Sequence, residues 1–381
     1  MSQERMVISH DGKMGNMMTK KATQGTFKCL SFNVLANKYA TGGGHSYCPA
    51  PALAWPHRWN LIKMQLSKQW DVVCLQEVEQ QFFLDDLQPF MNSMGLQGWH
   101  YTKQDGRDAE GLAMFYNSSS FKCHAARQVC LADCLPSSNA AESTDNLKEG
   151  GPSPPGAEAL NVLQKQRASV IIALLEHATT GQALVAACTH LFWDPRWPDV
   201  KALQASLLCQ QLASWVQGPN PVPIVLGGDF NSLWRKYKPD AFDAVIPTGP
   251  QNFLTSGVYQ LLSGGELPTS HHDHPVTRRH ATAAVSMSQP PSSLSVLWPL
   301  CTAPLTSSGI QLQSVYSAFC GKEPDITTRT ATFSGCLDYI WITPQKLDVL
   351  DVLPVEDQGP IPNDQNASDH LPIGATLAFK S

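Results

Sequence analysis

Residues 222–232 read Val222-Pro223-Ile224-Val225-Leu226-Gly227-Gly228-Asp229-Phe230-Asn231-Ser232. Ile224, Val225 and Leu226 form a short apolar run between Pro223 and a glycine pair, the signature of a buried strand. The strand ends in an acid and an amide. Asp229 and Asn231 are two residues apart, so on an extended chain they share a side. The same pattern recurs through the sequence. Asn33 follows Leu30-Ser31-Phe32, Glu77 ends the run from Val72 to Gln76, and His190 ends the run from Leu184 to Thr189. Asp338 precedes Tyr339-Ile340-Trp341, and Asp369 and His370 precede Leu371-Pro372-Ile373. Polar, metal-capable groups at so many strand ends predict one rim where rigid elements converge. Burying several carboxylates there is costly without a metal or a base to compensate.

Further strand signals lie at Phe27–Ala36, Asp71–Glu79, Gly111–Ser119, Ala168–His177, Ala183–Leu191, Gly335–Ile342 and Leu371–Phe379. Helical spacing occurs at Trp55–Trp70, Phe82–Gly95 and Asp199–Trp215. The last of these predicts Leu203, Leu207, Leu208 and Leu212 on one apolar face. Many strands are too close together for crossover helices. The pattern therefore predicts an α/β sandwich, two packed sheets with helices outside. Residues 1–25 read as a flexible lead and 26–381 as one domain. Loop insertions are expected near 135–156 and 268–308, each between segments that contribute to the polar rim.

Composition bounds the function. The chain has 381 residues, 43% hydrophobic and 15% charged, with a formal net charge of −5. That is globular and argues against a basic tail-like nucleic-acid binder. It leaves room for a nuclease, because a carboxylate-rich metal site is acidic before its metal binds. No signal peptide and no membrane-spanning apolar run is evident. The 11 cysteines are irregularly spaced, so a reducing compartment, the cytoplasm, is expected. Cys130 and Cys134 form a metal-clip spacing, but no matching second pair follows.

An asparagine and carboxylates, without a cysteine cluster, suit a hard cation, Mg²⁺ or Mn²⁺. Glu77 is the best ligand candidate, and Asn33 can add a neutral amide oxygen. Of Asp229 and Asn231, one can activate water while the other holds a phosphoryl oxygen. Asp338 or Asp369 beside His370 would raise the imidazole pKa and fix its tautomer. Trp193, Trp197 and Phe230 are candidates to stack on an adenine, and Arg107 to face a phosphate. Arg235, Lys236 and Lys238 form a basic run. His271, His272 and His274 with Asp273 lie in a polar stretch that reads as a solvated loop.

These motifs carry a resemblance. FNVLA, LQEVE, EGLAMFY, THLFWDP, GGDFNS, LDYIW and SDHLPI occur in this order. Together they resemble the endonuclease/exonuclease/phosphatase superfamily, and within it the deadenylase branch of carbon-catabolite-repressor-type deadenylases, nocturnin and the angel proteins. The resemblance implies a four-layer α/β sandwich of the deoxyribonuclease I-like type. It implies that Asn33, Glu77 and Asp369 serve the metal, that Asp229 activates water and that Asn231 contacts phosphate. It further implies that His370, paired with Asp338, contacts the scissile phosphate, and that His190 faces it. The expected activity is Mg²⁺-dependent 3′–5′ exoribonuclease action, poly(A)-preferring, on an RNA 3′ end, with 5′-AMP released. Alternatives are a nocturnin-like 2′-phosphatase on NADPH or NADP, a phosphodiesterase on 2′,5′-oligoadenylate or cyclic-phosphate RNA ends, and an inactive scaffold. No leucine-rich repeat region for joining the large deadenylase complex is seen, and a monomer is expected. Where the branch commonly has an asparagine after a basic residue, this chain has Ala168 after Arg167.

Overall fold

The structure, a computed structural model, describes residues 25–102, 106, 109–135, 156–218, 220–237, 252–280 and 298–380. Arg107, Lys238, the N-terminal lead and most of the first expected insertion lie outside these residues. In chain order the described strands are β1 (Thr26–Asn33), β2 (Val72–Glu79), β3 (Leu96–Thr102), β4 (Glu110–Asn117), β5 (Phe121–Cys130), β6 (Ser169–His177), β7 (Ala183–His190), β8 (Ile224–Asp229), β9 (Glu266–Leu267), β10 (Leu305–Thr306), β11 (Gln313–Ser314), β12 (Thr328–Arg329), β13 (Ser334–Gly335), β14 (Asp338–Ile342), β15 (Leu347–Val352) and β16 (Ile373–Phe379).

Two six-stranded sheets form, in the orders β15-β16-β1-β2-β4-β3 and β11-β14-β8-β7-β6-β5. Each has one parallel pair near its centre, β1 with β2 and β7 with β8. The other pairings are antiparallel. Strand alternation sorts the side chains into layers. Phe27, Cys29, Val72 and Cys74 face Ile171, Ala186, Cys188 and Val225 across the space between the sheets. The intervening residues Leu30, Phe32, Val73 and Leu75 turn outward against Ile62, Leu66, Phe82 and Met91. On the other side Ile172, Val185, Ala187 and Leu226 meet Leu203, Leu207 and Leu212. The result is a four-layer α/β sandwich of the deoxyribonuclease I-like type. Both faces of the central strands are buried, which is why they read as continuous apolar runs.

The outer layer over the second sheet differs from expectation. The helix Pro198–Ala213 has thirteen of its sixteen residues buried, so it is not a one-faced surface helix. A further layer covers it, built from Val258 and Leu261 of the helix Gly257–Gly264 and from Leu267 and Leu305 of the β9–β10 ribbon. Part of this layer comes from 268–308, the segment expected to be a loop. The His-rich stretch is likewise not solvated. Asp273 and His274 are buried, and the helix Pro275–His280 follows directly. Among the described residues no disulfide forms, and no helix is long and apolar enough to cross a membrane.

Close approach of backbones sets the geometry at the end of β8. A Cβ at Gly228 would sit 2.5 Å from the Thr189 carbonyl oxygen of β7, and one at Gly227 would sit 3.1 Å from Cys74 of the opposite sheet. Gly228→Ala is therefore expected to push β8 from β7 and destabilise the fold by about 1–3 kcal/mol, as seen in urea unfolding. An unchanged midpoint would show that the strand ends tolerate the shift.

Candidate active site

Register carries the polar residues to one place. Across the parallel pair, His190 lies opposite Asp229, and across the antiparallel pair Asp338 lies opposite the same Asp229. In the first sheet Asn33 lies opposite Gln76, one residue before Glu77. Pairing of β2 with β4 then jumps from Gln76 to Val78, so Glu77 is the extra residue of a β-bulge. Its φ is +58°, and Leu35 and Asn231 are also left-handed, at +58° and +48°. Such conformations are unfavourable for residues with side chains and cluster at functional sites.

The Asn33 amide joins the two sheets. Its Nδ2 donates to Glu77 Oε1 at 3.0 Å and to Asp229 Oδ2 at 3.1 Å. Its Oδ1 accepts from the Leu35 N–H at 3.0 Å and keeps a second lone pair. Glu77 Oε2 accepts from the Ala36 N–H. Burial, then Asp369 and Glu110 nearby, push the Glu77 carboxyl above its ordinary range. Asp369 receives His45 Nε2 at 3.3 Å. That bond and the nearby histidines outweigh burial and hold the Asp369 carboxyl low.

His370 donates from Nδ1 to Asp338 Oδ2 at 2.8 Å, and Thr327 Oγ1 donates to the same oxygen at 2.6 Å. Burial alone would depress the imidazole pKa. The carboxylates of Asp338, Asp229 and Asp369 outweigh it and hold His370 well above the usual histidine range. Its Nε2 lies 3.7 Å from Asp229 Oδ2, and His190 Nε2 lies 3.4 Å from that atom. Asp229 Oδ1 accepts from the Asn231 N–H at 2.8 Å. Burial and Asp338 raise the Asp229 carboxyl to about 7, with His370 opposing. The Asn231 Nδ2 lies 3.0 Å from His190 Nε2 and donates to the Leu191 carbonyl at 3.1 Å.

Ligand atoms of Asp229, Asp338 and His370 lie within 4.8 Å of one another, a cluster able to hold a divalent cation. Beside it opens a cavity of about 560 Å³, lined among others by Glu77, His190, Asp369, Arg167, Ala168 and Trp193. Trp193 stands on its rim, 63% exposed. Phe230 does not. It is fully buried against Tyr339 and Trp341, because one step along the strand from Asp229 turns it into the opposite layer. The expectation that Phe230 stacks on substrate is therefore corrected. Trp197 is also covered, by the Arg279 guanidinium 4.0 Å from its ring. The basic run is broken up. Lys236 is paired inward with Asp273 at 3.3 Å, while Arg235 lies against Trp234 and Phe253.

Several supporting residues are not evident in the sequence. His45, Thr327 and Ser368 orient the acids and His370. Arg58, fully buried, donates to the carbonyls of Val34, Leu35 and Ala367, and so ties the end of β1 to the Asp369 segment. Its one sequence signal is a charge inside an apolar helical stretch.

A model of the endonuclease/exonuclease/phosphatase family matches residues 30–370. The CCR4-Not complex 3′-5′-exoribonuclease subunit Ccr4 of Yarrowia lipolytica is 29% identical over 379 residues, 93% of this chain and 48% of that protein. The 2′,5′-phosphodiesterase 12 of Rattus norvegicus is 28% identical over 387 residues, 96% of this chain and 54% of that protein. The chain thus spans about half the length of these curated relatives. The structure of ANGEL2, a 2′,3′-cyclic phosphatase, in complex with adenosine-2′,3′-vanadate superposes with a TM-score of 0.69 at 22% identity, covering 94% of this chain and 97% of that chain. That likeness bears on the fold.

Asp229 also sets a pH signature. Its ordinary value is 3.8, and the fold raises it to about 7. The folded state therefore holds this proton more tightly, and the associated stability is full below 3.8 and lost as pH rises through about 7. In metal-free protein, Asp229→Asn should raise the melting temperature more at pH 8 than at pH 5, by about 2 °C or more. Scanning calorimetry at both pH values reads this. Equal shifts would mean that the ionised carboxylate is not a source of strain.

Proposed function

The chain belongs to the endonuclease/exonuclease/phosphatase family, and we propose that it is a divalent-metal-dependent phosphodiesterase acting at the ribose end of adenylate RNA, with 2′,5′-linked oligoadenylate as its preferred substrate. The observation that carries this reading is the cluster of Asp229, Asp338 and His370 beside a cavity of about 560 Å³ that Glu77, His190 and Asp369 line and on whose rim Trp193 stands. The dimensions suit a terminal nucleotide, with one aromatic face available to a base.

The residues fit a hard cation. Two carboxylates, Glu77 and Asp229, converge on the single Asn33 amide, and Asp369 raises Glu77 further. Glu77, Asp369 and the Asn33 oxygen would hold Mg²⁺ or Mn²⁺ as all-oxygen ligands. When bound, the cation would polarise the phosphoryl oxygen and stabilise the leaving oxygen. Asp229, poised near neutrality, takes the proton of the attacking water. His370, kept protonated by Asp338, donates to a phosphoryl oxygen as charge builds there. His190 and Asn231 complete the phosphate seat, and Arg167 supplies a guanidinium at the cavity edge.

A second reading, a 3′–5′ exoribonuclease preferring poly(A), is favoured by the match to the Ccr4 subunits. The test is a panel with Mg²⁺: 2′,5′-oligoadenylate, 3′,5′-oligoadenylate, RNA ending in a 2′,3′-cyclic phosphate, and NADPH. The expected result is kcat/KM for the 2′,5′ linkage at least about tenfold above the 3′,5′ linkage. Glu77→Ala and His370→Ala should each lower it about 100-fold or more. A preference for 3′,5′-oligoadenylate would transfer the assignment to the second reading. Hydrolysis that survives either substitution at about a tenth of wild type or better would sink the residue roles.

A further inference from the structure

Lys201 lies in the first turn of the helix Pro198–Ala213, behind the second sheet, and is 4% exposed. Its Nζ donates to the main-chain carbonyl of Asn231 at 2.7 Å. No carboxylate among the described residues lies within ion-pair distance of it. Its neighbour Lys236 has Asp273 as partner at 3.3 Å, so that carboxylate is already engaged. Taking an ammonium out of water for a single peptide carbonyl is expensive, and an aliphatic residue would fill the space at less cost.

The carbonyl it holds is unusual. Asn231 has φ +48°, a conformation that residues with side chains rarely adopt, and its oxygen meets the buried Lys201. A buried carbonyl without a donor is unfavourable, and the residue would relax toward a commoner conformation. Relaxation would move the two contacts that Asn231 makes on its other side. Its N–H holds Asp229 Oδ1 at 2.8 Å, and its side chain meets His190 Nε2 at 3.0 Å. One turn along the same helix, Gln204 Oε1 accepts from the Phe192 N–H at 2.9 Å and anchors the segment just after His190. The helix thus grips the chain beyond both parallel strands of the second sheet.

We propose that Lys201 is a positioning residue of the active site, which pins the Asn231 carbonyl and thereby sets the direction of the Asp229 carboxylate and the Asn231 amide. Burial and Lys236 bring its pKa down to about 8, while Asp273, Asp229 and Asp194 oppose the fall, so it remains largely charged at neutral pH. The inference rests on the reading of the Asp229 cluster as a phosphoester-hydrolysing site, whatever its natural substrate.

The test is a double-mutant cycle on Mg²⁺-dependent hydrolysis of bis(p-nitrophenyl) phosphate, using Lys201→Met, Asn231→Ala and the pair. Lys201→Met should lower kcat about tenfold or more with KM within about threefold, and Lys201→Arg should retain more activity than Lys201→Met. In the Asn231→Ala background the lysine substitution should cost at least about threefold less than in wild type, because the part of its effect that passes through the Asn231 amide is gone while the part that passes through the main-chain N–H to Asp229 remains. Additive losses in the cycle would overturn the proposal. If Lys201→Met does not fold, Lys201→Leu, which is shorter and likewise has no donor, enters the same cycle with the same criterion. A wild-type protein without Mg²⁺-dependent hydrolysis would remove the proposed function itself. A hydrolysing wild type with an additive cycle would remove only the role of Lys201.

Discussion

One amide ties the two halves of the sandwich together at their polar end. Asn33 closes β1 of the first sheet and donates both to Glu77 beside it and to Asp229 of the second sheet. Elsewhere between the sheets the contact is mainly apolar and non-directional, set by Phe27, Cys74, Cys188 and Val225. Such packing fixes a spacing but not an angle. An NH₂ group that donates one hydrogen to each of two carboxylates fixes both, to the tolerance of a hydrogen bond. The alignment of the first sheet's acids with the second sheet's histidines depends on it.

The arrangement runs against stability at several points. Acids gather where burial disfavours their charge. Three non-glycine residues around them take left-handed backbone conformations. The fold compensates from outside the site. Arg58 and Ser368 hold main-chain carbonyls of the β1 end, Thr327 steadies Asp338, and His45 takes one face of Asp369. Such second contacts make the chemistry rigid rather than merely present. They come from segments remote in sequence, so the acids are placed by the tertiary fold as a whole.

How much of this was legible follows from where each residue lies. β1, β2, β7 and β8 are buried on both faces, so their apolar runs stood out, and so did the acids and amides that ended them. β5 lies at a sheet edge with several exposed polar side chains and produced no such run. β15, at the other sheet's edge, is similar. Phe230 misled because a residue between Asp229 and Asn231 looks rim-like in sequence, whereas alternation sends it into the core. The apolar face of Leu203, Leu207, Leu208 and Leu212 was legible in the helix Pro198–Ala213, but the burial of its polar residues was not, since their partners Arg279, Phe192 and Asn231 lie elsewhere in the chain. The histidines near 271 misled for the same reason: composition resembles a loop, and only Thr255 and Ala303, far along the chain, reveal the packing.

The bulge at Glu77 changes what the hydropathy pattern of β2 encodes. Cys74 and Gln76 face between the sheets, toward Ala187, Ser31 and Cys188. In a regular strand Val78 would face the same way. It packs instead with Val73 and Leu75 against the outer helices. The alternation slips by one residue, and the residue at the slip belongs to neither layer. Glu77 thus sits at the slip itself, where its side chain packs with neither apolar core and its carboxylate meets the Asn33 amide and the Ala36 N–H instead. A phase boundary of this kind separates two selective pressures. Residues before it can be exchanged for other apolar ones by the rules of packing, while the boundary residue answers only to the site. The count of residues between Val72 and Glu77 then becomes a more stringent requirement than their identity, because a single insertion or deletion would move a hydrocarbon to the rim and the acid into the core.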